Sequence, residues 1–384
     1  MLKIGILLLL ILCADTSVFA YNVWNQKEQL PAVGRHRGTG LAIGDKGYVG
    51  LGHMNGTGVN IIYKDWWEFD QSTNSWTQKS DFPALTYGAS AFSVGNYGYV
   101  GGGAGLNSEF YKFSPITNTW TQIANSLNAT PSDETAFGIN DKGYIKSGNI
   151  ILEYDPQTDV WTNKASCPVG GWSVTSFVID NKGYVKSGNT LYEYKPSVDQ
   201  WAIRAYFPGL TSNGGPGFSV NHKGYIVTGY SGYLNPVNSE FWEYDPALNQ
   251  WTQLTNFPGV SRRFGVAFSI ANKGYFGLGT NGTNMNDFWE FNPALEGLSS
   301  DSDTKIGLGV YPNPSSDCIY FKTENGAKLE AKLHVYSNTG QLIKILNVNS
   351  EILKISNDEF ESGIYFYRLI SDETILTTGK FIFK

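Results

Sequence analysis

Arginine, the side chain best suited to gripping flat anions, comes in two tight groups: Arg35 and Arg37 flank His36, and Arg262 adjoins Arg263 far downstream. A guanidinium presents a planar fork of N–H donors that matches a carboxylate bidentately. Trp172 and Tyr87 offer ring faces on which a sugar or an apolar ring can stack. Asp133 and Glu134 are adjacent; on a strand they point to opposite sides, which argues against an acid/base pair for one substrate. Histidines are few (His36, His53, His222 and His334), and Cys13, Cys167 and Cys318 show no zinc spacing. Gly-rich phosphate loops and Gly-x-Ser-x-Gly are missing too. The sequence predicts no metal and no cofactor, and it assigns no catalytic residue.

Residues so far apart meet only if the chain repeats. Gly-Tyr plus an apolar residue recurs at Tyr48, Tyr99, Tyr144, Tyr184, Tyr225 and Tyr275, with spacings of 51, 45, 40, 41 and 50. A glycine follows four positions after each tyrosine. Next come an aromatic strand such as Phe241–Tyr244, a turn, and a tryptophan: Trp76, Trp120, Trp161, Trp201 or Trp251. Four short strands per unit at a period of ~40–50 residues predict the blades of a six-bladed β-propeller. The sixth unit has Leu298 where its tryptophan is due, and Asn22-Val23-Trp24 supplies the missing strand from the other end of the chain. That closure leaves no free sheet edge and makes blades 6 and 1 neighbours.

Aligned on Gly-Tyr without gaps, the units place His36, Tyr87, Ser132, Trp172, Asn213 and Arg263 at one level of the channel mouth. Arg35 and Arg262 fall one residue earlier; Arg37, Gly88, Asp133, Ser173, Gly214 and Phe264 fall one later. The expected ligand site is therefore a cluster of Arg35, Arg37, Arg262 and Arg263 beside Tyr87, with Asp133 and Trp172 across from it. The structural alternative is that the arginines pack between blades. From the closing glycine to the aromatic strand the spans are 14, 7, 3, 3, 12 and 9 residues. The long ones, in blades 1, 5 and 6, adjoin one another, and binding function concentrates in such loops. Lys46, Lys142, Lys182, Lys223 and Lys273 fall on the opposite face, where they are expected to solvate turns.

Gly-Tyr-Val-x-x-Gly, the Tyr/Phe-Asp-Pro strand and Asn-x-Trp together resemble the kelch family over residues 21–296. The kelch double glycine is intact only at Gly102-Gly103; Leu51, Ser147, Ser187, Thr228 and Leu278 replace its first member elsewhere. The resemblance implies a kelch-type propeller. Galactose oxidase, another kelch protein, holds copper with paired histidines and a tyrosine cross-linked to cysteine; His222 falls on the far face and Cys167 at a blade edge, so copper is not expected.

Lys3 and the apolar run Ile4–Leu12, followed by Val18-Phe19-Ala20, read as a signal peptide over 1–20. The run is too short for a spanning helix, and the residue before Cys13 is not the small one a lipobox needs. No transmembrane segment is expected in the mature chain. With 28 basic and 34 acidic residues the net charge is −6, which argues against nucleic acid as a partner.

Residues 297–304 read as a linker. Beyond it, 305–384 carries Tyr-Pro-Asn-Pro (Pro312, Asn313, Pro314), the Val-Tyr-Ser-Asn-Thr-Gly-Gln turn with Gly340, Gly-Ile-Tyr-Phe from Gly363 through Tyr365, and a final strand from Lys380. This order resembles the C-terminal sorting domain of type IX secretion substrates. The resemblance implies a small Ig-like β-sandwich read by the translocon and its sortase. The fold expected is all-β, a propeller followed by that sandwich. The function expected is a secreted or outer-membrane surface-attached protein of a Gram-negative bacterium, exported through the periplasm, that binds a glycan or a surface protein. A carbohydrate-active enzyme similar to the kelch N-acetylneuraminate epimerases is the alternative, and a structural or adhesion role is third.

Overall fold

The computed structural model describes residues 23–56, 58–127, 129–171, 173–211, 213–232, 236–293, 308–323, 331–337, 342–371 and 374–384. The signal peptide, the linker, Trp172 and Gly340 lie outside the described residues. The chain divides into two compact units, one over Asn22–Pro293 and one beyond it.

Six four-stranded antiparallel sheets make up the first unit among the described residues. Blade 1 is Thr39–Ile43, Lys46–Gly50, Trp66–Asp70 and Ser75–Lys79, from inner to outer strand. The inner strands of blades 2 to 6 are Ser90–Val94, Ala136–Ile139, Thr175–Ile179, Gly217–Val220 and Val266–Ile270. The outer strand of blade 6 is Val23–Lys27, which pairs with Phe288–Asn292 and sets Trp24 opposite Phe291. Trp24 also meets Phe241 and Phe257 of blade 5, with 5.1 Å between ring centres in each case.

The motif residues hold blade to blade. Asn74 Oδ1 accepts from the Glu28 N–H at 3.1 Å while Trp76 Nε1 donates to the Glu28 carbonyl at 2.8 Å, clasping blade 1 to the end of blade 6. The same two-point clasp recurs through Asn118 and Trp120 on Ser80, and through Asp159 and Trp161 on Ala124. Asp199 and Trp201 make it on Ala165, and Asn249 and Trp251 on Ala205. The glycine before each tyrosine has a packing reason: a methyl at Gly143, Gly183, Gly224 or Gly274 would overlap the phenylalanine on the previous blade's inner strand.

Between the strands, five of the six motif tyrosines donate to a glutamate directly across the strand pair, as Tyr48 does to Glu68 and Tyr184 to Glu193, while Tyr99 stands opposite Lys112. The lysines expected merely to solvate turns form ion pairs instead. Lys46 pairs with Asp70 and Lys142 with Asp155, both at 2.7 Å, and Lys273 pairs with Glu290 at 3.1 Å.

The second unit is a β-sandwich. One sheet orders Leu308–Tyr311, Cys318–Thr323 and Ile352–Ser356; the other orders Leu342–Val348, Ala331–Tyr336, Gly363–Ser371 and Thr374–Phe383. Ile319, Phe321, Leu333, Val335, Leu369 and Phe381 fill the space between them. Cys167 and Cys318 are buried free thiols.

Candidate ligand site at the channel mouth

Where each blade begins, the backbone turns into a closed ring. Arg37 N–H donates to the Phe264 carbonyl, Gly88 to Arg37, Asp133 to Gly88, Ser173 to Asp133, Gly214 to Ser173, and Phe264 to Gly214. All six residues have φ between 52° and 67°, the left-handed region. The ring uses all six of its backbone N–H donors on itself, so the N–H groups that remain to face the mouth are those of side chains. Beneath it a channel of about 230 Å³ is lined by the first residues of all six inner strands, mostly Gly, Ala, Ser and Thr. Ser90 Oγ and Ser173 Oγ on this lining are buried without a protein hydrogen-bond partner.

Arg35 and Arg262 are not part of the mouth, which corrects the four-arginine cluster expected from the alignment. Both are buried, at 1% and 0% exposure. Arg35 makes a two-point ion pair with Asp65, donates to the Val33 and Leu51 carbonyls, and lies 4.0 Å from the Tyr63 ring centre. Arg262 repeats the arrangement with Asp287, Val260 and Leu278. These are packing arginines, with every guanidinium nitrogen hydrogen-bonded within the protein.

Arg37 and Arg263 do converge. Their guanidinium carbons lie 4.5 and 5.6 Å from the Phe264 ring centre. Arg37 also approaches Tyr87 at 5.9 Å and forms an ion pair with Asp133, Nε to Oδ1, at 3.2 Å. Gly88 lets Asp133 reach across: a methyl there would come within 2.6 Å of Oδ1. Burial pushes the Asp133 carboxyl above the usual range, against the pull of Arg37. Glu134 turns the other way, onto the fully buried Lys146 at 2.8 Å and the Gly148 N–H. The adjacent carboxylates thus serve separate partners.

His36, which the alignment places at the mouth, is joined there by His53 and by residues of the long loops. The His53 ring stacks on Tyr87 at 3.9 Å and packs 4.3 Å from His36. His36 Nδ1 donates to Asn284 Oδ1 at 2.8 Å and His53 Nδ1 to Asn60 Oδ1 at 3.2 Å, which leaves each Nε2 a lone pair. Burial is the main reason the His36 pKa falls to about 4, with His53, Arg37 and Arg263 lowering it further. The His53 pKa is lowered too, chiefly by burial. Tyr230 lies beside Phe264, 5.8 Å between ring centres. The loop lengths pointed here: the blade 1 loop forms a hairpin, His53–Gly56 against Val59–Ile62, and bridges His36 to His53. The mouth is thus two cations, Arg37 already paired to Asp133, among aromatic rings and neutral imidazoles.

In the sandwich, Asn313 holds the last strand, donating to the Lys380 carbonyl and accepting from the Ile382 N–H, each at 3.0 Å. It stands between Pro312 and Pro314, both preceded by cis peptides. Gly363 pairs with Phe383, Tyr365 is a core residue whose hydroxyl donates to the Glu361 carbonyl, and Lys380 is exposed.

Residues 309–384 match the family model of the secretion system C-terminal sorting domain. The solved structure of YjhT superposes with a TM-score of 0.60 at 16% identity, over 68% of this chain and 95% of that one, a likeness of fold. Curated relatives include Ulvan lyase NLR42 of Nonlabens ulvanivorans, 28% identical over 27% of this chain and 19% of that one. Beta-agarase A of Zobellia galactanivorans is 30% identical over 22% of this chain and 15% of that one. The human Kelch repeat and BTB domain-containing protein 8 is 26% identical over 27% of this chain and 19% of its own. The chain spans about a fifth or less of the length of these relatives. The sheets and the likeness of fold to YjhT make the first unit a six-bladed β-propeller, and the sorting domain directs the protein by the type IX route to the cell surface or the medium.

Proposed function

We propose that the propeller is the exported cargo, over 21–296, and that it binds an anionic ligand carried on a glycan or a surface protein. The observation that carries this reading is the convergence of Arg37 and Arg263 on Phe264, beside imidazoles held neutral. Tyr87, and Trp172 at the matching position of blade 4, belong to the same proposed site. Guanidinium groups part-shielded from water bind anions through charge-assisted hydrogen bonds, and the flanking rings suit a sugar face. On this reading 305–384 is the address handled by the translocon and sortase, joined through 297–304. Binding of the purified chain to uronic-acid, sulfated and neutral oligosaccharides tests it. Anionic members should bind at least tenfold tighter and weaken as salt rises; equal binding of neutral and anionic members overturns it.

A second reading, a carbohydrate-active enzyme, is favoured by one observation. The His53 Nε2 has no protein hydrogen-bond partner beside the cationic pair, and a neutral imidazole with a spare lone pair is the group type that general-base chemistry uses. NMR of the same sugars with the protein, watching for ring turnover, separates enzyme from binder.

A further inference from the structure

Alternation along the four-stranded sheet of the sandwich fixes which side chains face out. Leu333 and Val335, Tyr367 and Leu369, and Phe381 and Phe383 are buried in its core. Their strand neighbours point the other way. The outward face therefore carries Tyr336, Phe366, Ile364 and Ile382, brought together as cross-strand partners by the pairings Tyr336–Phe366 and Ile364–Ile382. The edge strand adds Leu342, opposite Tyr336, and Ile345, opposite His334, at 45% and 48% exposure, and Ile364 is 45% exposed. A sheet with one solvated face ordinarily alternates apolar inside with polar outside; this one is apolar on both sides. Its charges are of one sign. Lys332, Arg368 and Lys380 stand among the apolar residues, Arg368 lying 5.3 Å from the Tyr336 ring centre. The four strands contain no aspartate or glutamate. The outward side of the other sheet is balanced differently, with Lys322 paired to Glu351 at 3.5 Å.

We propose that this face is where the sorting domain docks on the export machinery, against a protein surface of apolar side chains rimmed by carboxylates. An exposed apolar patch with charged residues at its rim marks an interaction site, and complementary charge selects the partner and speeds encounter. A second copy of the same face would set cation against cation, so it is not the occupant. The proposal adds a face and a partner chemistry to the sorting role.

The test uses the full chain in its exporting cell, reading the fraction at the surface or in the medium against the fraction in the periplasm. Arg368→Glu with Lys380→Glu should cut surface yield at least fivefold and leave folded, protease-resistant chain in the periplasm. Lys322→Glu with Lys354→Glu, on the other sheet, should leave yield unchanged. If the first pair fails to fold, Ile345→Thr with Ile364→Thr, which keeps β-branched residues, should give the same export defect with the fold intact. A photo-crosslinker at Ile345 should capture an export component through an acidic segment. Undiminished export of the folded face variants overturns the proposal, as does crosslinking to a second copy or to the propeller of the same chain.

Discussion

Arg37 of blade 1 and Asp133 of blade 3 form an ion pair of 3.2 Å that passes over Gly88 of the blade between them. The aspartate occupies the place that a ligand carboxylate or sulfate would take on Arg37, so an incoming anion competes with it. Asp133→Asn should therefore raise affinity for an anionic ligand by about tenfold, ~1.4 kcal/mol, in line with a charge-assisted hydrogen bond. Arg37→Ala with Arg263→Ala should lower it at least as much while the fold persists. Titration calorimetry of the three proteins decides; weaker binding by Asp133→Asn would mean that Asp133 positions Arg37 instead.

Arg35 and Arg262 should behave in the opposite way. Arg262→Ala leaves the Asp287 carboxylate, whose pKa Arg262 helps lower, without its partner in a partly buried site. Loss of one member of a buried ion pair costs roughly 3–5 kcal/mol. Thermal unfolding should show a large drop in Tm, and ligand affinity per folded molecule should stay unchanged. Lost affinity with an unchanged Tm would return Arg262 to the ligand site.

His36 makes stability depend on pH. Its folded-state pKa of about 4 lies below the ordinary 6.5, so the unfolded chain takes up a proton first as pH falls. The associated stability is complete above about pH 6.5 and is lost between there and pH 4, by up to about 3 kcal/mol. His36→Gln should flatten that part of the stability profile in denaturant titrations at pH 7 and pH 4.5. An undiminished slope would assign the dependence to other groups.

The closing strand should be as much a part of the fold as any blade. Trp24→Ala removes a ring packed on Phe241, Phe257 and Phe291, worth roughly 3–5 kcal/mol. Deleting residues 23–27 bares the Phe288–Asn292 edge and should drive self-association. Sedimentation of the truncated propeller reads this directly; a monomer with the original Tm would show that the strand is dispensable.

The propeller was legible because each motif residue does the same physical work in every blade. Asn74 and Trp76 clasp a neighbour as Asn249 and Trp251 do, so the need repeats and the letters repeat with it. The division among the arginines was not legible. Arg35 and Arg37 are two apart and should share a side of an extended strand. The left-handed backbone at Arg37, φ 52°, breaks that alternation and sends the two side chains to different places. One signal was present in the sequence: an acid stands two residues before a tryptophan in Asp65-Trp66-Trp67 and Asp287-Phe288-Trp289. Each acid accepts from that indole N–H at 2.8 Å while holding the buried arginine. In the sandwich, Ile352–Ser356 turns only two residues inward, Leu353 and Ile355, a pattern too short to mark a strand in the sequence.

At the ring, Gly88 and Gly214 adopt the left-handed backbone freely, whereas Arg37, Asp133, Ser173 and Phe264 hold it against their own Cβ atoms at roughly 1 kcal/mol each. The scaffold would close with glycine at all six positions. Four side chains are thus carried at the mouth at the expense of folding stability, and they could be exchanged without rebuilding a single blade.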